Sequence, residues 1–558
     1  MASFKRLSLI LMTSCAGGAM LSACDGATSV ASPGEGVIVV PAPTPAAPTP
    51  TPTPTPTPGT PAASCPSGTI DRGVIGSFRG CRIPSLITGT TTLAKLPGVA
   101  YEINGRVNVG IDLGGSGSAP GGQSAILTVQ PGVIFYANEL DADNDYLLVN
   151  RGSRILAEGA ESAPIIFTSG QNLRGTATDE SQGQWGGVIL AGRAPISNCN
   201  TGGVVGGDAA CENVVEGTGT ALYGGNAPAD DSGVMRYVQI RYSGTILAEG
   251  VELQGLTLGG TGYGTQLDHI QIHNSSDDGI EIFGGRTNLK YLAITGADDD
   301  SLDYDVGWRG MVQFMIAIQK PTNTQSDNYL LEIDSNGAED ALPRTWGQIA
   351  NFTMVQTTTG TNAAIRIRGG ADGRFINGIV TTPQACLNIV AGADAGGKTT
   401  IRAGDSTPST TSPLVTGSLG PLQDYGAPLF HSLYFACGAT KFAASTVSGV
   451  TVSADEQRAV VENARNSNVN INGIIGDALT AQYKIGTGPA GVTAANAANY
   501  NPAPATGLAA FFVNAPYLGA VSPTAGDPNA TWFERWTCNS NRANFGTASG
   551  NCTALPVN

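Results

Sequence analysis

The strongest constraint on this chain is a repeat. Leu267-Asp-His-Ile270-Gln-Ile272 returns as Leu289-Lys-Tyr-Leu292-Ala-Ile294, and again as Met311-Val-Gln-Phe314-Met-Ile316, each 22 residues after the last. Upstream, Val129-Gln-Pro-Gly132-Val-Ile-Phe135-Tyr-Ala137 is echoed twenty residues later by Val149-Asn-Arg-Gly152-Ser-Arg-Ile155-Leu-Ala157. Alternation within each segment predicts short strands, with Ile270 and Ile272, Leu292 and Ile294, and Phe314 and Ile316 on one face. A period near 22 matches one coil of a parallel β-helix, with three strands and three bends. The LxxLxLxxN pattern of leucine-rich repeats does not run through the chain, and propeller blades need about 40 residues.

Composition agrees. Of 558 residues 76 are Gly and only 13% are charged, against averages of about 7% and 25%. Surface helices need Lys, Glu and Arg on their outer face, whereas coil corners use Gly for positive φ. A hydrophobic content of 41% supports a sizeable core. The net charge of −15 has the wrong sign for phosphate backbones, so nucleic acid is not an expected partner.

The amino terminus predicts export. Lys5 and Arg6 precede a mostly apolar run from Leu7 to Met20, too short for a comfortable membrane span. Leu21-Ser22-Ala23-Cys24 resembles the lipobox of bacterial lipoproteins, which implies a signal peptide over 1–23 and an acylated Cys24 that partners with a membrane. Residues 24–62 form the anchor and linker; within them PAPTPAAPTPTPTPTPTPGTP (41–61) reads as an extended polyproline tether of about 3.1 Å per residue. Eight further cysteines suit an oxidising compartment: Cys65, Cys81, Cys199, Cys211, Cys386, Cys437, Cys538 and Cys552. Eight cysteines allow 105 connectivities; sequential pairing is the expected one. None has CxxC spacing, so no zinc or redox motif is expected.

The stretches LTVQPGVIFYA, LLVNRGSRILAEGAESAPIIFTS and GQWGGVIL resemble the N-terminal coils of exported bacterial right-handed parallel β-helix proteins with a pectin-lyase-like fold. DDGIEIFGG, DDDSLDYDVG, LEIDSNG and the terminal YLGAV…TWFERWTC resemble a group of proteobacterial and Bacteroidota envelope lipoproteins. The resemblance implies an all-β, single-stranded, right-handed parallel β-helix at the outer membrane or cell surface. It implies no particular reaction.

The chemistry concentrates in acidic residues. At the 22-residue period Asp277 and Asp278 align with Asp299 and Asp300, and Glu281 aligns with Asp303. With Ile280, Ile282, Leu302 and Tyr304 pointing inward, Glu281, Asp303 and Asp305 point outward. If Leu331 and Ile333 continue the inward ladders after a seven-residue insertion, Glu332 lies beside Asp303 and Asp334 beside Asp305. Such a wall repeats about every 4.8 Å, and like charges that close repel by about 3 kcal/mol at an effective dielectric near 20. Calcium, which takes 6–8 oxygen ligands, is the natural neutraliser. A solvated acidic face and a catalytic acid pair remain alternatives. For catalysis the candidates are Asp299, Asp303, His273, Arg366 and Arg368, although the two arginines alternate on a strand as a solvent face would. His269 and His273 both point outward, about 13 Å apart on a strand, too far to share one metal ion. Gly392…Gly397-Lys398-Thr399 fits Walker A spacing, but no helix is expected after it, so no nucleotide cofactor is expected.

Residues 63–400 are therefore expected to form the β-helix and 401–558 a cap and side-packing segment. In the latter, Ser453-Ala-Asp-Glu456 reads as a capping box opening a helix to about Arg465. Two functions fit: binding a glycan or other envelope component, in one version beside an outer-membrane transporter, or a polysaccharide lyase or hydrolase.

Overall fold

The computed structural model describes residues 59–557, apart from 141–143, 249–250, 322–323, 325–327, 336, 358–361, 393–396, 408–419 and 502–508. The signal peptide, Cys24 and nearly all of the tether lie outside the described residues.

Two long sheets, almost wholly parallel, run the length of a β-helix. One has ten strands, from Leu86–Ile87 through Ile280–Phe283, Leu302–Asp305, Leu331–Ile333 and Ile365–Ile367 to Leu387–Ile389. The other, of sixteen strands, is creased along a column of left-handed residues: Tyr237, His269, Tyr291, Phe314, Asn351, Asn377 and Ser432, all with φ between 51° and 64°. The crease marks a third face. Arg154–Glu158 pairs with one arm of the strand Gly233–Arg241, and Ile165–Ser169 with the other, on either side of Tyr237. Each coil thus has three strands, as its period requires. The interior is a continuous ladder in which Leu256, Ile280, Leu302, Leu331, Ile365 and Leu387 stack from coil to coil, all fully buried.

The third repeat carries a correction. Leu289 pairs with Val312, Leu292 with Met315 and Ile294 with Ala317, a step of 23 rather than 22. One extra residue is accommodated in the turn Val306–Gly310, where Trp308 is fully buried against the coil core. A one-residue shift exchanges the faces of a strand. Met315 and Ala317 therefore fill the coil, while Phe314 and Ile316 point out of it.

The stack also runs past residue 400. Leu429–Ala436 pairs with Asp372–Thr381, and Ser467–Asn470 extends that sheet. The capping box at Ser453 and Glu456 is formed, but the helix is Ala454–Val461, shorter than expected. The chain must turn at Asn463 and Asn466 to lay down the strand Ser467–Asn470. The helix packs Val460 and Val461 on the end of the coil core. Beyond residue 480 the described residues return along the outside of the creased sheet, where Tyr517, Trp532, Phe533 and Trp536 cover Phe314 and Ile316. The cysteines pair sequentially: Cys65–Cys81, Cys199–Cys211, Cys386–Cys437 and Cys538–Cys552.

Candidate metal centre

The outward residues in the middle of the ten-stranded sheet form one register column: Asn108, Leu148, Ile189, Thr257, Glu281, Asp303, Glu332, Arg366 and Asn388. The column changes character along the helix. Its apolar part is covered by an excursion held by Cys199–Cys211, which packs Ile196, Val215 and Tyr223 against Leu148 and Ile189. Its far part is Arg366 and Asn388. Between them lies a trough of carboxylates, with Glu332 beside Asp303 because Leu331 and Ile333 continue the inward ladders after the insertion.

This trough is not a solvated wall. Asp277, Asp278, Glu281, Asp300 and Glu332 are all less than 8% exposed. Asp303, Asp305, Asp299 and Asp334 are half-buried. Backbone amides satisfy some of the oxygens: Asp277 Oδ1 accepts from the Asp278 N–H at 2.8 Å, and Asp278 Oδ1 from the Asp300 N–H at 2.9 Å. Asp300 Oδ1 accepts from the Tyr329 N–H. Others are inaccessible to water and accept no hydrogen bond from the described residues: Asp277 Oδ2, Glu281 Oε2, Asp303 Oδ1 and Asp305 Oδ1. Two triads, Asp277–Asp278–Asp299 and Asp278–Glu281–Asp303, each offer three oxygens within 4.8 Å of one another. These groups could hold a metal ion.

Burial is the first cause of the carboxyls' altered acidity, and mutual repulsion adds to it. Asp277 is pushed up to about 7. Asp278, Glu281, Asp300, Asp303 and Asp305 are held well above the ordinary carboxylate range. Sequence reasoning missed two members. Glu216, from the disulfide-held excursion, and Glu252, from the strand Val251–Leu253, face one another beside Asp277, and Glu216 is also pushed up to about 7 by burial. Long insertions bring them in, so no period predicts them.

The predicted catalytic residues do not all meet here. Arg366 and Arg368 do, but their forks are engaged: Arg366 Nη1 lies 3.4 Å from Glu332, and Arg368 reaches Glu332 at 2.6 Å and Asp334 at 2.9 Å. Asp299 and Asp303 each belong to one triad. His273 belongs to the other sheet, and its expected surface position is wrong. It is fully buried under the returning C-terminal segment, with Nδ1 3.0 Å from Thr295 Oγ1. Next to it, Gln271 donates to the Cys538 carbonyl and accepts from the Cys538 N–H, so this outward face is covered.

Burial, then the neighbouring Arg241, lowers His273 to about 3 from an ordinary 6.5. The folded state therefore keeps His273 neutral while the unfolded chain takes a proton below about pH 6.5. Its contribution is complete above pH 6.5 and is lost towards pH 3, at about 1.4 kcal/mol per pH unit. Urea unfolding at pH 7 and pH 5 should show the drop in stability shrinking by about 2 kcal/mol in His273→Gln. An unchanged drop would show that this histidine is not the group responsible.

A model described as Pectate-lyase like beta helix domain matches residues 116–410, a little over half of the chain. The chain belongs to that family. No curated protein and no solved structure gives a significant match. The matched segment contains every carboxylate of the trough and both arginines.

Proposed function

We propose that this pectate-lyase-like β-helix protein is exported, anchored at the cell envelope through acylated Cys24, and binds an acidic polysaccharide through calcium held in the trough. The observation that carries this reading is the pair of carboxylate triads on adjacent coils, with buried oxygens that lack donors. An isolated buried carboxylate is costly, and a hard divalent cation is the ligand that such oxygens suit. Asp277, Asp278, Asp299, Glu281 and Asp303 would hold it. When bound, the ion would neutralise the trough and offer positive charge to uronate carboxylates, with Arg366 and Arg368, paired to Glu332 and Asp334, beside it. The signal sequence and Cys24 motif support export and anchoring, and an outer-membrane transporter is a partner compatible with that location.

A second reading, polysaccharide lyase or hydrolase, draws on Glu281 and Asp303. Their oxygens fall within 4.8 Å in one triad, a closeness compatible with a paired-carboxylate hydrolase. One experiment separates the readings. Purified mature protein is incubated with a panel of uronic-acid glycans, with calcium or with chelator, and both binding and new chain ends are measured. Calcium-dependent binding without new ends is expected. New unsaturated or reducing ends that vanish in Asp303→Ala establish the enzyme reading instead. Binding indifferent to calcium overturns the metal assignment.

A further inference from the structure

A second cleft, on the creased sheet, has a different chemistry. It encloses about 520 Å³ and is lined by Tyr237, Tyr263, Tyr291 and Phe511 around a charged floor, a volume within the range of small-molecule sites. The floor is a register row across three adjacent strands, Arg236, Asp268 and Lys290. Its one carboxylate is already engaged. Asp268 receives Arg236 Nε on both oxygens, at 3.0 and 2.9 Å, and His269 Nδ1 lies 2.6 Å from its Oδ1.

Lys290 is left over. Its Nζ donates to the Phe511 carbonyl at 2.8 Å and sits 4.6 Å above the Phe511 ring. Among the described residues no carboxylate comes within ion-pair distance of it. Burial lowers this ammonium to about 8 although Asp268 raises it, so at neutral pH it stays mostly charged and an anion placed against it would offset the cost of its burial. In a chain of net charge −15, long-range attraction cannot bring an anion here; recognition must be short-range. The aromatic walls supply that. The rings at the crease are stacked on one another, Tyr237 on His269 and His269 on Tyr291 with centroids 4.4 Å apart, which fixes them rigidly. Phe511 and half-buried Tyr263 complete the walls. Flat apolar rings beside a cation fit a ligand with an apolar C–H face and a carboxylate.

We propose that this cleft is a second saccharide subsite, seating one carboxylated sugar ring with its carboxylate on Lys290 and its C–H face against Tyr263 and Phe511. The assignment rests on the acidic-polysaccharide reading for its ligand class, but it needs no metal.

Calorimetric titration of the mature protein in excess chelator tests it, using a galacturonate disaccharide and the matching neutral galactose disaccharide. The acidic sugar should bind at least tenfold more tightly than the neutral one. Lys290→Met should abolish that preference, and Lys290→Arg, which keeps a cation, should restore it. Lys290→Gln, which also removes the charge but keeps a hydrogen-bond donor for the Phe511 carbonyl, should lose the preference likewise and keeps the test decisive should the methionine variant fail to fold. Equal binding of the two sugars in chelator, or a preference untouched by Lys290→Met, overturns the subsite. Failure of the trough reading looks different: calcium then adds nothing, while the chelator-resistant, Lys290-dependent preference remains.

Discussion

With divalent cations removed at pH 8, Asp303→Asn is expected to unfold at a higher denaturant concentration than the unsubstituted protein, and in millimolar calcium at a lower one. Asp303 is flanked in register by Glu281 on one side and Glu332 on the other. Neighbouring charges at about 5 Å repel by about 3 kcal/mol at an effective dielectric near 20. The Asp303 carboxyl must either carry that repulsion or hold a proton against the solvent pH. A carboxamide of the same shape does neither, so the metal-free protein should gain about 1–3 kcal/mol. With calcium present the sign reverses, because one ligand oxygen loses its charge and the linkage stabilisation from binding falls away. That stabilisation amounts to about 4 kcal/mol when calcium is a thousandfold above its Kd. The crossing of the two curves is the informative result. A variant less stable in both conditions would make Asp303 a structural residue, and one more stable in both would mean that the trough binds no calcium.

The trough was half legible in the sequence, and the division has a physical cause. Glu281, Asp303 and Glu332 could be aligned because neighbouring coils are in strict register and side chains alternate with period two. Both rules act locally along the chain. Glu216 and Glu252 reach the same trough from insertions, and an insertion has no period. The slip at Phe314 has a similar origin. One residue added in the turn that buries Trp308 left the apolar pattern Phe-Met-Ile-Ala readable in either register. Only the partner of each face distinguishes them. Met315 and Ala317 face the coil interior, and Phe314 and Ile316 face Trp532, Trp536 and their neighbours.

Burial of His273 was hidden for the same reason, since the covering segment is more than 200 residues away in the chain. A signal was present all the same. Where the returning segment covers the creased sheet, several outward positions carry amides where a solvated strand would carry Lys or Glu. Gln239, Gln271, Gln313, Asn351 and Asn377 each bond to the backbone of the returning segment. An amide has both a donor and an acceptor, so it can satisfy a passing strand of either polarity. Uncharged amides at outward positions of successive coils are thus a readable mark of a covered face.

The other large effect is expected at Arg344, which is fully buried near the far end of the stack. Its Nη1 reaches Asp340 at 2.9 Å and the Glu339 carbonyl at 3.0 Å, and its Nη2 lies 3.5 Å from Asp424, 3.7 Å from Asp372 and against the Gly370 carbonyl. Asp372 and Asp424 are themselves almost wholly buried, and burial pushes Asp372 up to about 8 even with the guanidinium beside it. Arg402 also holds Asp424, whereas Asp372 has no second arginine within ion-pair distance among the described residues. Arg344→Met fills similar space but leaves two carbonyls short of donors and takes the guanidinium charge away from the Asp372 carboxyl. Breaking a buried pair from one side costs about 3–5 kcal/mol, and the retained Arg402–Asp424 contact places this case near 3 kcal/mol. Adding Asp372→Asn should change this little at neutral pH, because the Asp372 carboxyl, already pushed up to about 8, holds its proton once the guanidinium is gone. The cost should be local in a coil stack, where each coil contacts mainly its neighbours. Amide exchange should therefore speed up most in Ile365–Ile367, Leu387–Ile389 and Leu429–Ala436, with Tyr146–Val149 unchanged. A loss below about 1 kcal/mol, or faster exchange spread evenly along the stack, would show that Arg344 does not hold these coils together.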